Sequence, residues 1–181
     1  MKETHWPGFC SVTTRRAGHL VVTWPKSLDQ LPAMMDYNIR DGRTYMYFKG
    51  EPLYPFGFGL SYTTFKFSNL RTSFRQVAKD GSVNISVDVT NTGSRSGDEV
   101  VQLYVKHVGS KVDRPREQLA GFQRVTLQPN ETKTVEIALP ASRLAYWDVN
   151  IQALHVETEP VSLMIGDSSA TIALSTTVQV Q

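Results

Sequence analysis

Apolar and polar residues alternate along most of the chain after residue 61. In the clearest segment, Val83, Ile85, Val87 and Val89 alternate with polar residues, as in a strand with one face on a core. Similar sets recur, separated by turn-forming glycine, proline and asparagine: Phe65 and Phe67; Val101, Leu103 and Val105; Val135, Ile137 and Leu139; Val161, Leu163 and Ile165; Ile172 and Leu174. The pattern predicts about seven short strands in an all-β, antiparallel β-sandwich.

The sandwich is predicted to be of the fibronectin type III-like (immunoglobulin-like) kind, because no Cys…Trp…Cys spacing marks a disulfide-bridged antibody-type domain. The first 61 residues differ in texture, since aromatic residues and five prolines interrupt any regular period. Here we expect only a short strand at Leu20–Thr23 and a helical turn at Ser27–Leu31. The predicted division is 1–61, an irregular aromatic- and proline-rich arm, and 62–181, the sandwich.

Composition excludes several classes of protein. The 181 residues are 40% hydrophobic and 20% charged, which is ordinary for a globular protein. A formal net charge of +2 gives no sign of a nucleic-acid or membrane-surface partner, and no apolar stretch is long enough for a membrane span. The only cysteine, Cys10, excludes an internal disulfide. Met1–Cys10 does not have the pattern of a signal peptide, so localisation stays open.

Few residues suggest chemistry. The four histidines, His5, His19, His107 and His155, lack ligand spacing, so we predict neither a metal nor a cofactor. Asp98-Glu99 resembles a carboxylate pair, but adjacent strand residues point to opposite faces, and a polar lead-in to a strand beginning at Val100 is the simpler interpretation. The sequence FGFG at 56–59 lacks the frame of a phosphate-binding loop and favours a tight turn among buried rings.

The junction between the two regions carries a longer motif. Residues 53–65, LYPFGFGLSYTTF, resemble the passage into the C-terminal domain of glycoside hydrolase family 3, which includes β-glucosidases and β-xylosidases. The resemblance extends over residues 18–169. Its other motifs are VTWP (22–25), RTYMYF (43–48), NTG (91–93), GDEVVQLYV (97–105), LAGFQRV (119–125) and LAYWD (144–148).

The resemblance implies that residues 1–61 are a remnant of that family's α/β sandwich domain and linker, followed by its fibronectin type III-like domain. No residue here matches the family's nucleophile or acid/base, so no catalytic residue is predicted. Met1–Arg16 departs from the family pattern, which suggests a truncated gene or a fragment. Tyr45, Tyr47 and Phe48 are candidate sugar contacts. The rings of Tyr54, Phe56, Phe58 and Tyr62 are expected to pack the linker.

The expected function is therefore that of a non-catalytic, stabilising part of a family 3 β-glycosidase. The alternative is a free-standing β-sandwich that binds carbohydrate or another protein. The expected partners are the remainder of the parent glycosidase, or a second copy through the aromatic arm if that arm does not fold back on the sandwich, together with carbohydrate. Nucleic acid and membrane are not expected. A secreted or periplasmic location would suit the parent.

Overall fold

The computed structural model describes residues 18–181, which are almost entirely strands and turns. Cys10 and His5, discussed above, lie outside the described residues. Three 3-10 helices interrupt the strands, at Leu28–Gln30, Ile39–Asp41 and Ala141–Leu144. The strands are β1 (Trp24–Pro25), β2 (Pro52–Tyr54), β3 (Phe65–Thr72), β4 (Gln76–Val77), β5 (Ser82–Asn91), β6 (Gly97–His107), β7 (Gln118–Leu127), β8 (Thr132–Pro140), β9 (Tyr146–Asp148), β10 (Ala153–His155), β11 (Pro160–Gly166) and β12 (Ile172–Val180).

Two sheets form the sandwich. One has the order β4-β12-β11-β6-β7 and the other the order β3-β5-β8. Pairing is antiparallel except between the short β4 and β12, which run parallel. The predicted all-β, fibronectin type III-like sandwich is thus confirmed. No helix among residues 18–181 is long and apolar enough to cross a membrane.

The core follows the predicted alternation. Val83, Ile85, Val87 and Val89 of β5 are buried and form one cluster with apolar side chains of both sheets. The other predicted inward residues of β6, β8 and β11 belong to the same cluster: Val101, Leu103, Val105, Val135, Ile137, Leu139, Val161, Leu163 and Ile165. Each such side chain contributes about 1.5–3 kcal/mol when it is fully buried. This cluster is the main apolar contribution to the stability of the sandwich.

Strand β6 is buried on both of its faces. Gln102 and Tyr104, which point away from the core cluster, are 3% and 0% exposed. The arm, residues 18–61, covers this outer side, where Gln102 Nε2 donates to the Gly57 carbonyl at 3.1 Å. It also reaches β7 and the loop before it: the Leu119 amide donates to Tyr45 Oη and the Arg116 amide to the Met46 carbonyl, each at 2.9 Å. The expectation that the arm folds back on the sandwich is confirmed, whereas self-association through its rings stays a prediction.

Inside the arm the predictions were only partly correct. The turn at Ser27–Leu31 is confirmed as the 3-10 helix Leu28–Gln30. The strand at Leu20–Thr23 is wrong, because the strand lies at Trp24–Pro25 and pairs with β2. Leu20 instead bonds through both backbone groups to the FGFG turn (residues 56–59), its amide to the Phe58 carbonyl and its carbonyl to the Gly57 amide, each at 2.8 Å.

The attachment of the arm depends on a glycine with left-handed backbone. Gly57 has φ +81°, and a Cβ there would overlap Gln102 Oε1 and Tyr104 Oη. We predict that Gly57→Ala destabilises the chain by about 2–4 kcal/mol, through backbone strain plus overpacking of buried polar atoms. Gly109→Ala is the matched control: its φ is +84°, no atom lies within 4 Å of an added Cβ, and only about 1 kcal/mol is expected.

Urea unfolding of the two variants and the wild-type chain measures both losses. Equal losses for the two alanines would show that the contact with Gln102 and Tyr104 is not a tight one.

Candidate functional site

The outer face of β6 holds a buried polar network that fixes the FGFG turn. Gln102 Nε2 donates to the Gly57 carbonyl at 3.1 Å and also to the Asp167 carbonyl. Tyr104 Oη donates to Gln102 Oε1 at 2.6 Å. His19 Nδ1 lies 2.5 Å from the same Gly57 carbonyl and donates to it. The side-chain amide thus has partners for both of its polar atoms, as a buried amide requires.

A cleft of about 290 Å³ opens beside this network, between the arm and the sandwich. We call it the junction cleft. The arm contributes His19 and residues 59–61, the entry to β3 contributes residues 63–65 and Phe67, β6 contributes Asp98 and Glu99, and the turn before β12 contributes Asp167. Several hydroxyl and carboxyl groups of the described residues surround this opening.

Asp98 and Glu99 lie inside β6, which begins at Gly97, so the interpretation as a polar lead-in to a strand beginning at Val100 is wrong. Asp98 is 4% exposed, forms an ion pair with Arg124, and accepts from Thr126 Oγ1 at 2.7 Å. Glu99 is 7% exposed and Glu99 Oε1 accepts the Val100 amide at 3.1 Å. The two carboxyls therefore sit in different electrostatic environments.

Glu99 is the acidic group whose titration the cleft alters most clearly. Burial, and next the nearby charge of Asp167, raise its pKa from 4.5 to about 7. Burial penalises the charged carboxylate, and Arg124 binds Asp98 rather than Glu99. Near neutral pH this side chain is therefore a mixture of acid and carboxylate. It can donate as well as accept a hydrogen bond.

The three candidate sugar contacts have different surroundings. Tyr45 stacks on Phe56 at 4.2 Å between ring centroids and meets the edge of Tyr104 at 6.1 Å. Burial is the main cause that raises its pKa. Phe48 is buried, and Arg116 donates to its carbonyl. Tyr47 is half-buried. The arrangement gives Tyr45 and Phe48 packing roles, and their contact with sugar stays a prediction.

The rings of the junction motif divide into two groups. Phe56 is packed against Tyr45, and Phe58 lies 5.2 Å from Tyr54 between centroids. Tyr54 and Tyr62 remain 43% and 46% exposed. The expected packing of the linker therefore holds for the two phenylalanines more fully than for the two tyrosines.

Sequence reasoning missed Gln102, Tyr104, His19 and Asp167. A signal was present in β6, because residues 100–105, VVQLYV, form an almost continuous apolar run. Such a run is typical of a strand covered on both faces, whereas the alternation of charged residues expected on a solvent face is absent. His19 and Asp167 carry no comparable signal, since only the folded arm brings them to β6.

Comparisons with known proteins show which proteins this chain is similar to. Residues 99–169 match the model of the fibronectin type III-like domain family. The thermostable β-glucosidase B of Acetivibrio thermocellus is 40% identical over 91% of this chain. The crystal structure of a family 3 β-glucosidase from Bifidobacterium adolescentis superposes with a TM-score of 0.82, 28% identity and 91% coverage. The chain matches the C-terminal region of family 3 glycosidases, including its fibronectin type III-like domain.

The family 3 match includes the arm as well as the sandwich, since it covers most of this chain. A putative β-xylosidase of Formosa agariphila is similar too, 36% identical over 84% of this chain. The chain spans about a fifth to a quarter of the length of these relatives: 23% of the Acetivibrio enzyme, 20% of the Formosa protein and 26% of the Bifidobacterium chain. The recognised resemblance is thereby confirmed.

The raised pKa of Glu99 predicts a pH-dependent loss of stability. Below about pH 4.5 the side chain is protonated in both states; between 4.5 and about 7 the unfolded state ionises while the folded state keeps its proton. Rising pH therefore favours unfolding, and Glu99→Gln removes the effect. The wild-type chain should lose up to about 3 kcal/mol relative to Glu99→Gln across this window.

Denaturant unfolding of both proteins from pH 4 to 8 measures the difference, in which other titrating groups cancel. Parallel stability curves would contradict the assignment.

Proposed function

We propose that this chain is the non-catalytic, stabilising C-terminal part of a family 3 β-glycosidase, an enzyme that hydrolyses O-glycosyl bonds. The observation that carries the proposal is the exposed outer surface of the arm. Its apolar side chains are between 49% and 88% exposed: Val21, Val22, Trp24, Leu28, Met34, Met35, Tyr37 and Ile39. We call this set the arm face.

The arm face is unusual for a surface that only meets water. Exposed apolar side chains in this number within one short segment favour an interaction site. Other parts of the arm are already fixed to the sandwich: Tyr45 contacts Tyr104 of β6 and accepts from the Leu119 amide of β7, and Met46 accepts from the Arg116 amide before β7. Because the relatives carry most of their length outside the matched region, the proposed partner is that additional polypeptide. The arm would then be an adaptor between a catalytic body and the sandwich.

The carboxyl groups of Asp98 and Glu99, adjacent on β6, do not resemble a catalytic pair. Retaining glycosidases hold two carboxyl groups about 5–5.5 Å apart across the scissile bond. Asp98 is committed to Arg124 and Thr126, and Glu99 is buried at the junction with the arm. In this proposal the chain shapes and stabilises the enzyme, and the catalytic groups lie in the additional polypeptide of the kind that the relatives carry.

A chimera with the Acetivibrio thermocellus enzyme tests the proposal. In one variant the matched C-terminal region of that enzyme is deleted, and in the other it is replaced by residues 18–181 of this chain. For each variant, hydrolysis of aryl β-glucoside and β-xyloside and the rate of heat inactivation are measured. The deletion should lose most activity and stability, and the replacement should recover both. The isolated 181-residue chain should leave both substrates intact.

Variants of the replacement locate the contact. Leu28→Ser and Met35→Ser on the arm face should each shorten the half-life at elevated temperature several-fold, because a buried apolar contact of about 1.5–3 kcal/mol is lost. Phe122→Ser, at an apolar residue on β7 that is also largely exposed, is the control and should have no effect. Equal effects of the three changes, or hydrolysis by the isolated chain, would refute the proposal.

We also propose the domain boundary near Tyr62. The clustered core residues lie between Val77 and Val180, which supports an independently folding sandwich. Residues 62–181 should unfold cooperatively but at lower urea than the full chain, because Gln102 and Tyr104 lose their cover, whereas residues 1–61 alone should give no transition. Limited proteolysis should leave a core that begins close to Tyr62. A protected fragment that begins before Trp24 would contradict the boundary.

The second candidate function, a carbohydrate- or protein-binding module, is favoured by one feature. In the β9–β10 hairpin Trp147 pairs with Leu154, and these side chains are 59% and 71% exposed. An exposed tryptophan beside an aliphatic residue is a contact surface for a sugar ring or another protein. Trp147→Ala would leave the chimera's half-life unchanged if the arm face alone makes the contact.

A further inference from the structure

The junction cleft has nearly the size of a small-molecule site. Its volume of about 290 Å³ is near the lower end of the ~300–1,000 Å³ range of ligand pockets. It lies where two independently patterned parts of the chain meet, and ligand sites prefer such boundaries. Its walls are held by the Gln102 and His19 bonds to Gly57, so the opening is built into the attachment of the arm.

The lining offers hydroxyl groups with unused bonding capacity. Thr63 Oγ1 donates to Asn91 Oδ1 at 2.6 Å, Thr64 Oγ1 lies 2.8 Å from Thr92 Oγ1, and Ser61 Oγ accepts the Thr63 amide at 3.3 Å. Each hydroxyl has one donor and two acceptor positions. These bonds keep the groups in place and leave acceptor positions for a ligand.

Glu99 offers a carboxyl oxygen for a ligand in the cleft. It is 93% buried, yet its one hydrogen bond in the described chain comes from the amide of the next residue. A carboxyl group can accept about four hydrogen bonds. Asp167 beside it adds a second carboxyl rather than a cation. The second carboxyl oxygen of Glu99 is not among the fully enclosed polar atoms that lack a hydrogen bond, so it can accept one from a ligand in the cleft.

The chemistry of the lining selects the class of ligand. No lysine or arginine lines the described part of the cleft, so an anion there would meet carboxyl groups with no lysine or arginine to offset them. Among residues 18–181 no three histidine, cysteine or acidic side chains are grouped to hold a metal ion. The hydroxyl and carboxyl groups both donate and accept, and Phe65 and Phe67 add apolar ring surface. This combination suits a small neutral molecule with several hydroxyl groups.

We propose that the junction cleft binds one unit of a neutral, polyhydroxylated ligand such as a pyranose ring. Hydroxyls of the ligand donate to Glu99 and Asp167 and exchange hydrogen bonds with Ser61 and Thr64, while its C–H face lies on Phe65. The site is distinct from the arm face and from Tyr45, Tyr47 and Phe48. It does not depend on the activity of any parent enzyme, because all of its groups belong to this chain.

Titration of the isotope-labelled 181-residue chain with methyl β-glucopyranoside and methyl β-xylopyranoside tests the proposal by amide NMR. Saturable shifts should appear at Ser61, Glu99 and Asp167, with a Kd of about 1–10 mM. Glu99→Gln and Asp167→Asn, which keep the side-chain shapes, should each weaken binding about three- to tenfold. Glu117→Gln is the matched control, because burial also raises the pKa of Glu117, which does not line the cleft.

Three results would overturn the assignment. One is the absence of saturable shifts with either glycoside in a chain whose spectrum shows it folded. Another is shifts confined to Trp147 or to Tyr45 and Tyr47, which would place sugar elsewhere. The last is tighter binding of guanidinium or ethylammonium than of either glycoside, abolished by salt, which would make the cleft a cation site. Equal weakening by Glu117→Gln would count against a local effect.

Discussion

The side-chain amide of Gln102 is the interaction on which the arrangement of this chain depends. It stands on the outer face of a strand whose inner face already belongs to the core, and it bonds to the FGFG turn of the arm, to Tyr104, and to the turn that leads into β12. A buried amide must find partners for both of its polar atoms. Because those partners come from three parts of the chain, satisfying this one side chain fixes the arm, the sheet and the edge of the junction cleft together.

That constraint explains why so irregular an arm has a defined position. Its prolines and aromatic residues give it two short strands and two 3-10 turns, too little regular structure for a core of its own. Its order comes instead from backbone bonds to β7 and its flanking loop, and from rings stacked beside Tyr104. The parts of the arm that make no such contact, with Trp24, Leu28 and Met35, remain in solvent. The exposed apolar surface is thus a consequence of how the arm is attached.

The sandwich could be predicted from the sequence because its alternation is a local signal. The alternation from Val83 to Val89 indicates that the segment is a strand and which of its side chains are buried, without knowledge of any other segment. Strand β7 was not predicted, because its residues do not alternate regularly between apolar and polar. Its Phe122 is exposed, and the register of β7 against β6 shifts between Leu103 and Tyr104. The strand at Leu20–Thr23 failed for a similar reason, since Leu20 bonds to residues almost forty positions away. His19, Glu99 and Asp167 meet only after folding, and no local pattern marks them.

Asp98 and Glu99, near the start of β6, differ in role: one stabilises the sheet, and the other is proposed to bind a ligand. Asp98 faces Arg124 and Thr126, so its charge is compensated within the sheet and its removal would leave Arg124 without its partner. Glu99, one position later, points to the junction with the arm, where the Val100 amide and the adverse charge of Asp167 are its principal contacts. A residue of this second kind weakens the fold above its pKa, because burial penalises the carboxylate. A glutamine would fill the same space without that cost. The carboxyl is therefore better explained by the ligand proposed for the cleft than by the stability of the fold.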